Sequence, residues 1–577
     1  MAKKDGDDKR AALRIDISIL LFFAFITFLV YANSLKSPFI WDDQYLIAEN
    51  HFIKSARFIP DIFKHHLYYS SAGLSNFYRP LQNLFLMADY HLWKADPFGY
   101  HITSVLFHLL CGFSAYLFIN SVFKKRTVAF FAGLLFLVHP ANSTVVDYIS
   151  SRADSQAALF MLLSLYLFVR YSQKASRDLI YLAAALVSFI LALLSKEIAI
   201  ILPFLLILTI PFVADKKRPV VKDAPPFFIA LAVYGVLRFT VLSFASSGSE
   251  VTSSLYIRLL TASESFTRLI GLFFFPARIH IEKSIPYSSG LLQTSTLVSL
   301  SILTALFASL FYIRRYSKMA FFGVSWFFLS LLPMANVVPI NATMADHWLY
   351  LSSIGLLLCV IGGASDLIER LGPDRKKIFK TSAVFCIIAA VSVLSYLTIQ
   401  QNRIWRDPIL FYNLALEHSP KSYRAHNEIG IIYLDQDKPD MAILEFQQAV
   451  ALNPGFDQAY DNMGVAYDKK GEFDNAIVQY KKALEIKPNN PKIYNNLGNA
   501  YNKAGRLSAA EDAYKEALKL VPDFKAVYNN LGVIYYKKGD YKEARRYWNK
   551  VLKLDPGNTG VIGNLKALDE IMARQQP

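Results

Sequence analysis

The sequence predicts an all-α chain in two parts, a bundle of membrane-spanning helices followed by a helical-repeat solenoid. Three observations carry this. Hydrophobic residues make up 54% of the 577, more than a soluble chain of this length ordinarily holds. They are concentrated in long runs before about Thr398. After Trp405 the pattern becomes polar-rich and repeats itself at a fixed step.

The membrane part follows from the length of the runs. A helix needs about 20 apolar residues to cross a bilayer, because its backbone must satisfy its own hydrogen bonds in lipid. Eleven runs qualify as candidate spans, roughly 15–35, 102–121, 126–140, 154–172, 178–195, 197–214, 225–245, 294–313, 319–338, 347–365 and 378–399. The polar interruption Ser195-Lys196-Glu197 divides 178–214 into two. The basic segment 1–14 precedes a run too long for a signal peptide and without a small-residue cleavage site, so the first run reads as a retained helix.

Charge fixes the expected orientation. Lys3, Lys4, Lys9 and Arg10 begin one set of basic loops. The set continues with Lys124-Lys125-Arg126, then Arg170, Lys174 and Arg177, then Lys216-Lys217-Arg218, Arg314-Arg315 and Arg375-Lys376-Lys377. All fall on one side of an eleven-span arrangement. The positive-inside rule makes that side cytoplasmic and places the C-terminal part outside. The net charge of +16 is thereby a topology signal, and a nucleic-acid partner is not expected. Cys111, Cys359 and Cys386 lie in apolar runs, without metal or disulfide spacing. The long outer loops 36–100 and 244–294 each hold an amphipathic stretch, at 80–93 and about 256–275, expected to lie in the interface plane.

The C-terminal part repeats every 34 residues. Pro420, Pro454, Pro488, Pro522 and Pro556 keep that step, as do Gly430, Gly464, Gly498 and Gly532. Tyr433 to Tyr535 and Ala442 to Ala544 keep it as well. This is the tetratricopeptide (TPR) pattern, in which small residues let paired helices pack closely and proline ends the second helix. Four repeats are expected over 423–558, with a linker and half-repeat at 401–422 and a capping helix at 559–577. The first helices carry Asp461-Asn462, Asn495-Asn496 and Asn529-Asn530. These are either solvated residues of the repeat consensus or an amide ladder. In the second case Asn462, Asn495, Asn496, Asn529 and Asn530 would hold an extended peptide by its main chain.

The outer face also carries ionisable residues. Asp42 and Asp43 follow the first span between Trp41 and Tyr45; near the membrane a carboxylate's pKa can rise enough to make it a base. Beyond them come His139, Asp147, Arg152 and Asp154, then the pair Lys196-Glu197, then Asp346-His347 at the tenth span. Charge at membrane depth is costly and marks function by default, although each group alone could be a helix-end anchor or a buried ion pair. The triplets Asn142-Ser143-Thr144 and Asn341-Ala342-Thr343 match glycosylation sequons, which arise by chance and do not decide the compartment.

In order, Trp41-Asp42-Asp43, Tyr78-Arg79-Pro80-Leu81, His139-Pro140, Ser151-Arg152-Ala153-Asp154, Lys196-Glu197 and Ala345-Asp346-His347-Trp348-Leu349-Tyr350, followed by TPRs, resemble the transmembrane and TPR-containing O-mannosyltransferases, in particular their bacterial relatives. The resemblance covers nearly the whole chain. It implies a membrane domain of the GT-C glycosyltransferase class over 15–400 and a polyprenyl-phosphate sugar donor, mannose favoured. It also implies an inverting transfer to an acceptor hydroxyl, a bacterial inner-membrane location and periplasmic repeats. The repeat array is shorter than in eukaryotic members, and the His347 motif differs from their Asp-Arg-Tyr form.

Transfer from such a donor needs a carboxylate to take the acceptor's proton and cations for the departing phosphate. Asp42 or Asp43 is the expected base, with Asp42 favoured by the resemblance. Arg79, Arg152, Lys196 and His347 are the expected phosphate partners. Glu197, Asp346, Asp154 and His139 are expected to support them. No cofactor is expected and no cluster has metal-ligand spacing; Asp346 and Glu197 are the residues a divalent metal would use. The acceptor is expected to be Ser or Thr of a protein captured by the TPRs. Two other functions fit the same chain, a non-catalytic TPR scaffold of an envelope assembly and a GT-C enzyme acting on a glycolipid or polysaccharide.

Overall fold

The computed structural model describes residues 2–70, 75–173, 178–213, 220–244, 253–277, 279, 285–340 and 342–574. Lys174, Arg177, Lys216-Lys217-Arg218 and Asn341 lie outside the described residues. Regular structure among the described residues is helical throughout. The chain divides into two units, Met1–Phe411 and Tyr412–Pro577.

The first unit begins with α1 (Ala2–Tyr31), α2 (Ile59–Lys64), α3 (Pro80–Trp93), α4 (Pro97–Phe123), α5 (Arg126–Val138) and α6 (Ser143–Val146). It continues with α7 (Arg152–Gln173), α8 (Leu179–Ser195), α9 (Leu202–Val213), α10 (Pro225–Thr240) and α11 (Leu255–Phe274). It ends with α12 (Thr294–Tyr316), α13 (Lys318–Leu331), α14 (Leu349–Leu357), α15 (Gly363–Ile368) and α16 (Pro373–Arg406).

Each apolar run forms helix over most of its described residues, but eleven crossings are not established. Among the described residues six helices are long and apolar enough to cross a membrane, and a seventh results if 126–138 and 140–146 form one span bent by 57°. Three further apolar helices, Leu179–Ser195, Glu197–Val213 and Lys318–Met334, are shorter. The bend has a local cause: His139 precedes Pro140, is driven out of the helical region and sits at ψ 125. Lys196 is extended in the same way (φ −159, ψ 147) and separates α8 from the turn that leads into α9.

One end of this unit gathers loop charges. Lys125 pairs with Asp366 at 2.9 Å and Arg126 with Asp16 at 3.8 Å. Lys124 donates to Gln173 at 2.9 Å, and Arg370 reaches the carbonyls of Arg315 and Tyr316. The amphipathic stretch expected at 80–93 is α3, and it is packed as well as amphipathic. Gln82 donates to the Ser150 carbonyl at 2.8 Å, while Asp89 accepts from Thr103 at 2.8 Å and from Arg152. That holds α3 against α4 and α7. The first sequon is not accessible: Asn142 is fully buried and donates to the Phe136 carbonyl at 2.7 Å.

The division between the units falls within α17 (Pro408–His418). The second unit then runs as helix pairs, α18 (Tyr423–Asp435) with α19 (Pro439–Leu452), and α20 (Asp457–Lys469) with α21 (Phe473–Ile486). These are followed by α22 (Pro491–Lys503) with α23 (Leu507–Leu520), α24 (Lys525–Lys537) with α25 (Tyr541–Leu554), and α26 (Thr559–Arg574). The repeated glycine has a packing cause. A Cβ at Gly430, Gly464 or Gly498 would stand 2.5 Å from the ring of Phe446, Tyr480 or Tyr514, so only glycine admits the ring of its partner helix. Gly471, Gly505 and Gly539 turn each pair at φ 76 to 78, and Asp437 fills the equivalent place in the first repeat at φ 58.

The Asn positions of the first helices are joined from repeat to repeat. Asn462 donates to Asn427 at 2.9 Å, and Asn496 to Asp461 at 3.0 Å. Asn530 donates to Asn495 at 3.0 Å and to Asn499 at 2.9 Å. Asn529 lies beside them, its main-chain carbonyl accepting from the Trp548 indole at 3.3 Å. The ladder therefore stitches the solenoid together, a structural use the sequence pattern did not reveal.

Candidate active site

The two adjacent aspartates part company at a single turn. Trp41 has a left-handed backbone (φ 52), uncommon for a bulky residue, and beyond it the carboxylates meet different surroundings. Asp43 is fully buried. Its Oδ1 accepts from the Ser150 amide at 2.7 Å and the Ser150 hydroxyl at 2.5 Å, and its Oδ2 from the Ile40 amide at 3.4 Å. Burial pushes its pKa up to about 7, with the Ser150 and Ile40 bonds opposing the shift and the charge of Asp42 adding to it. Asp43 thus ties the first loop to the segment that enters α7. Asp42 is only half-buried. Its Oδ2 accepts from the Tyr68 hydroxyl at 3.1 Å, and its amide donates to the Tyr148 hydroxyl at 3.2 Å.

The cations form the other side of the site. Arg79 directs Nε and Nη2 at Glu197 Oε2, at 3.1 and 3.0 Å, and its guanidinium lies 4.5 Å over the Phe77 ring. Lys196 donates to Asp154 Oδ2 at 2.6 Å. The charges of Lys196, Asp154 and Arg79 all reach the His347 ring, and Arg79 and Asp42 both act on Tyr68. Asp42, Tyr68, Arg79, Glu197, Lys196, Asp154 and His347 form one continuous electrostatic neighbourhood, drawn from segments that are far apart in the chain. Asp346 is buried at the start of the turn that carries His347.

Two expected site residues are instead committed to packing. Arg152 is completely buried. It donates to Ser104 at 3.0 Å, to the Tyr100 carbonyl at 2.6 Å and to Asp89, which crosslinks α3, α4 and α7. His139 stacks on Phe273 at 5.2 Å. Its Nδ1 accepts from the Ala141 amide at 3.2 Å, so Nε2 carries the proton and donates to the Phe273 carbonyl at 3.0 Å. Both rank as anchors of the site's frame. Sequence reasoning missed Tyr68, Tyr148, Ser150 and Asp89, and nothing local marks them: Tyr68 stands in an unpatterned His65-His66-Leu67-Tyr68-Tyr69 run. Among the described residues no three His, Cys, Asp or Glu side chains group so as to hold a metal.

Comparison with known proteins gives matches in both units. Residues 80–244, which hold Arg79's neighbour Pro80, Asp154, Lys196 and Glu197, match the family described as dolichyl-phosphate-mannose-protein mannosyltransferase. Residues 423–456, 466–505 and 494–559 match tetratricopeptide families. A Caenorhabditis elegans protein O-mannosyl-transferase is 23% identical over 473 residues, 78% of this chain and 65% of its own. A Homo sapiens protein O-mannosyl-transferase is 23% identical over 466 residues, 74% of this chain and 50% of its own. The homologues of this chain are protein O-mannosyl-transferases. The chain thus matches a mannosyltransferase family over 80–244 and TPR families over 423–559, and it spans between about half and about two thirds of the length of these relatives. Among solved structures, MamA aligns over 26% of this chain and 89% of its own, with 26% identity and a TM-score of 0.25.

Proposed function

We propose that the chain is a membrane glycosyltransferase that moves mannose from a polyprenyl-phosphate donor to a Ser or Thr hydroxyl of an extracytoplasmic protein. The observation that supports this is a half-buried carboxylate, Asp42, joined through the Tyr68 hydroxyl to the surroundings of Arg79, whose charge acts together with that of Lys196 on the His347 ring. Asp42 takes the proton of the acceptor hydroxyl as its oxygen attacks the anomeric carbon. The bond from that carbon to the phosphate oxygen breaks, and the phosphate leaves toward Arg79 and Lys196. Glu197 and Asp154 hold those two side chains in place before the donor arrives. Direct displacement inverts the anomeric centre.

Asp43 and Arg152 act through the frame, Asp43 by its bonds to Ser150 and Arg152 by its bond to Asp89. The repeats recruit the protein acceptor, using the hydrogen-bonding capacity that Asn462 and Asn496, each giving one amide hydrogen to the ladder, retain. The basic end of the bundle faces the cytoplasm of a bacterial inner membrane, and the active site and repeats face the periplasm. Mass spectrometry of envelope proteins and glycolipids, with and without the gene, tests this reading. Hexose lost from Ser and Thr peptides supports it. Hexose lost only from glycolipids overturns the protein acceptor, and no change in either leaves a scaffold.

A further inference from the structure

We propose that Tyr68 is a positioning residue for this transfer: its hydroxyl holds the Asp42 carboxylate in the orientation and charge state that a base requires. The inference rests on the assignment of Asp42 above. The geometry that carries it is the 3.1 Å bond from the Tyr68 hydroxyl to Asp42 Oδ2, with the Tyr148 hydroxyl fixing the Asp42 backbone amide at 3.2 Å. One carboxylate oxygen and the main chain are thereby held by two phenols from different parts of the chain. A carboxylate so held keeps one geometry while its charge changes, which is what proton capture from a bound hydroxyl demands.

Tyr68 also faces the other half of the site. The ionisable groups around it and Asp42 are Arg79, Asp43 and Tyr148. Burial first, and then the charge of Asp42, push the Tyr68 pKa well up, with Arg79 opposing, so the phenol keeps its proton and remains a donor. Asp42 loses its charge when it takes the acceptor's proton. The Tyr68 bond is strong to the carboxylate and weak to the acid, so it keeps Asp42 ionised in the resting enzyme.

The sign of its effect on rate follows. The base works ionised, so rate rises with pH through the pKa of Asp42. Without the phenol the carboxylate loses a bond that favours its charged form, its pKa rises, and the acid limb moves to higher pH. The purified full chain, given dolichyl-phosphate mannose and a Ser/Thr peptide, should show that limb displaced upward by about one pH unit in Tyr68→Phe, with the high-pH plateau retained. Replacing Tyr68 by 3-fluorotyrosine, a stronger donor, should move the limb the other way. A purely structural role lowers the rate equally at every pH, so parallel profiles for both variants overturn the proposal. If Asp42→Asn is inactive while the Tyr68 profiles stay parallel, only the Tyr68 role fails. If Asp42→Asn transfers at the wild-type rate, the base assignment fails and the Tyr68 role with it.

Discussion

The repeat unit and the membrane unit spend their polar side chains differently. In the repeats, bonds recur at the spacing of the sequence period: Asn462 to Asn427, Asn496 to Asp461 and Asn530 to Asn495 each reach back 35 residues. Each repeat contacts its neighbours by the same means, so stability accumulates by simple addition along the array. The membrane unit has no such rule. Asp43 meets Ser150 across 107 residues, Arg79 meets Glu197 across 118, and Arg152 meets Asp89 across 63. Each of these crosslinks is unique, and several of them also build the site. Losing one polar contact in the repeats therefore costs a local increment, whereas losing one in the membrane unit removes a tie between segments far apart in the chain.

The largest effect should come from that asymmetry. Arg152→Met strands Asp89 without its cation in a site that is almost wholly buried, and the membrane unit should lose about 3–5 kcal/mol. Adding Asp89→Leu should restore much of the loss, because an apolar pair leaves no buried charge. Thermal unfolding of the detergent-solubilised chain checks both variants. An Arg152→Met membrane unit that melts where the wild type does would show that the ion pair is not a tie.

The matching change in the repeats should cost less and stay confined. Gly498→Leu drives side-chain atoms into the Tyr514 ring and should destabilise its repeat by about 1–3 kcal/mol. Circular dichroism melts of residues 412–577 would record this. Sugar transfer to a free peptide too short to need recruitment should be unaffected. A loss of transfer equal to that seen in frame variants of the membrane unit would mean that the two units do not behave separately.

A smaller effect concerns pH. The pKa of Asp43 is about 7 in the folded chain against an ordinary 3.8. Between those values the folded state holds a proton that the unfolded chain releases. Its contribution to stability is therefore present in acid and lost as pH rises from about 4 to 7. Asp43→Asn cannot titrate, so its unfolding temperature should fall less steeply across that window. Parallel pH slopes for the two proteins would refute the shift.

The same contrast explains what could be read in advance. The step of Gly430, Gly464, Gly498 and Gly532 announced helix pairs, and the structure supplies the aromatic ring behind each glycine. The helical character of every apolar run was legible too, because an unsatisfied backbone in lipid leaves little choice. The number of crossings was not, since α9 and α13 are too short for length to decide. At the site, Asp42, Lys196, Glu197 and His347 were visible as ionisable residues out of place, and the structure pairs Lys196 with Asp154, Glu197 with Arg79 and Asp42 with Tyr68. Their roles were less visible. Asp42 and Asp43 are chemically alike in sequence, and only the bond of one to buried Ser150 and of the other to Tyr68 separates them. Arg152 looked like a phosphate ligand because Asp89, its partner, sits in a loop stretch that reads only as amphipathic.

In the proposed reaction Asp42 does the proton transfer while Arg79 and Lys196 hold the donor's phosphate. The most direct test measures binding and transfer on one sample, with dolichyl-phosphate mannose as donor. Asp42→Asn should bind the donor as the wild type does and transfer at least about a hundredfold more slowly, whereas Lys196→Met should weaken donor binding. Undiminished transfer by Asp42→Asn, or donor binding lost in Asp42→Asn and intact in Lys196→Met, would contradict the account.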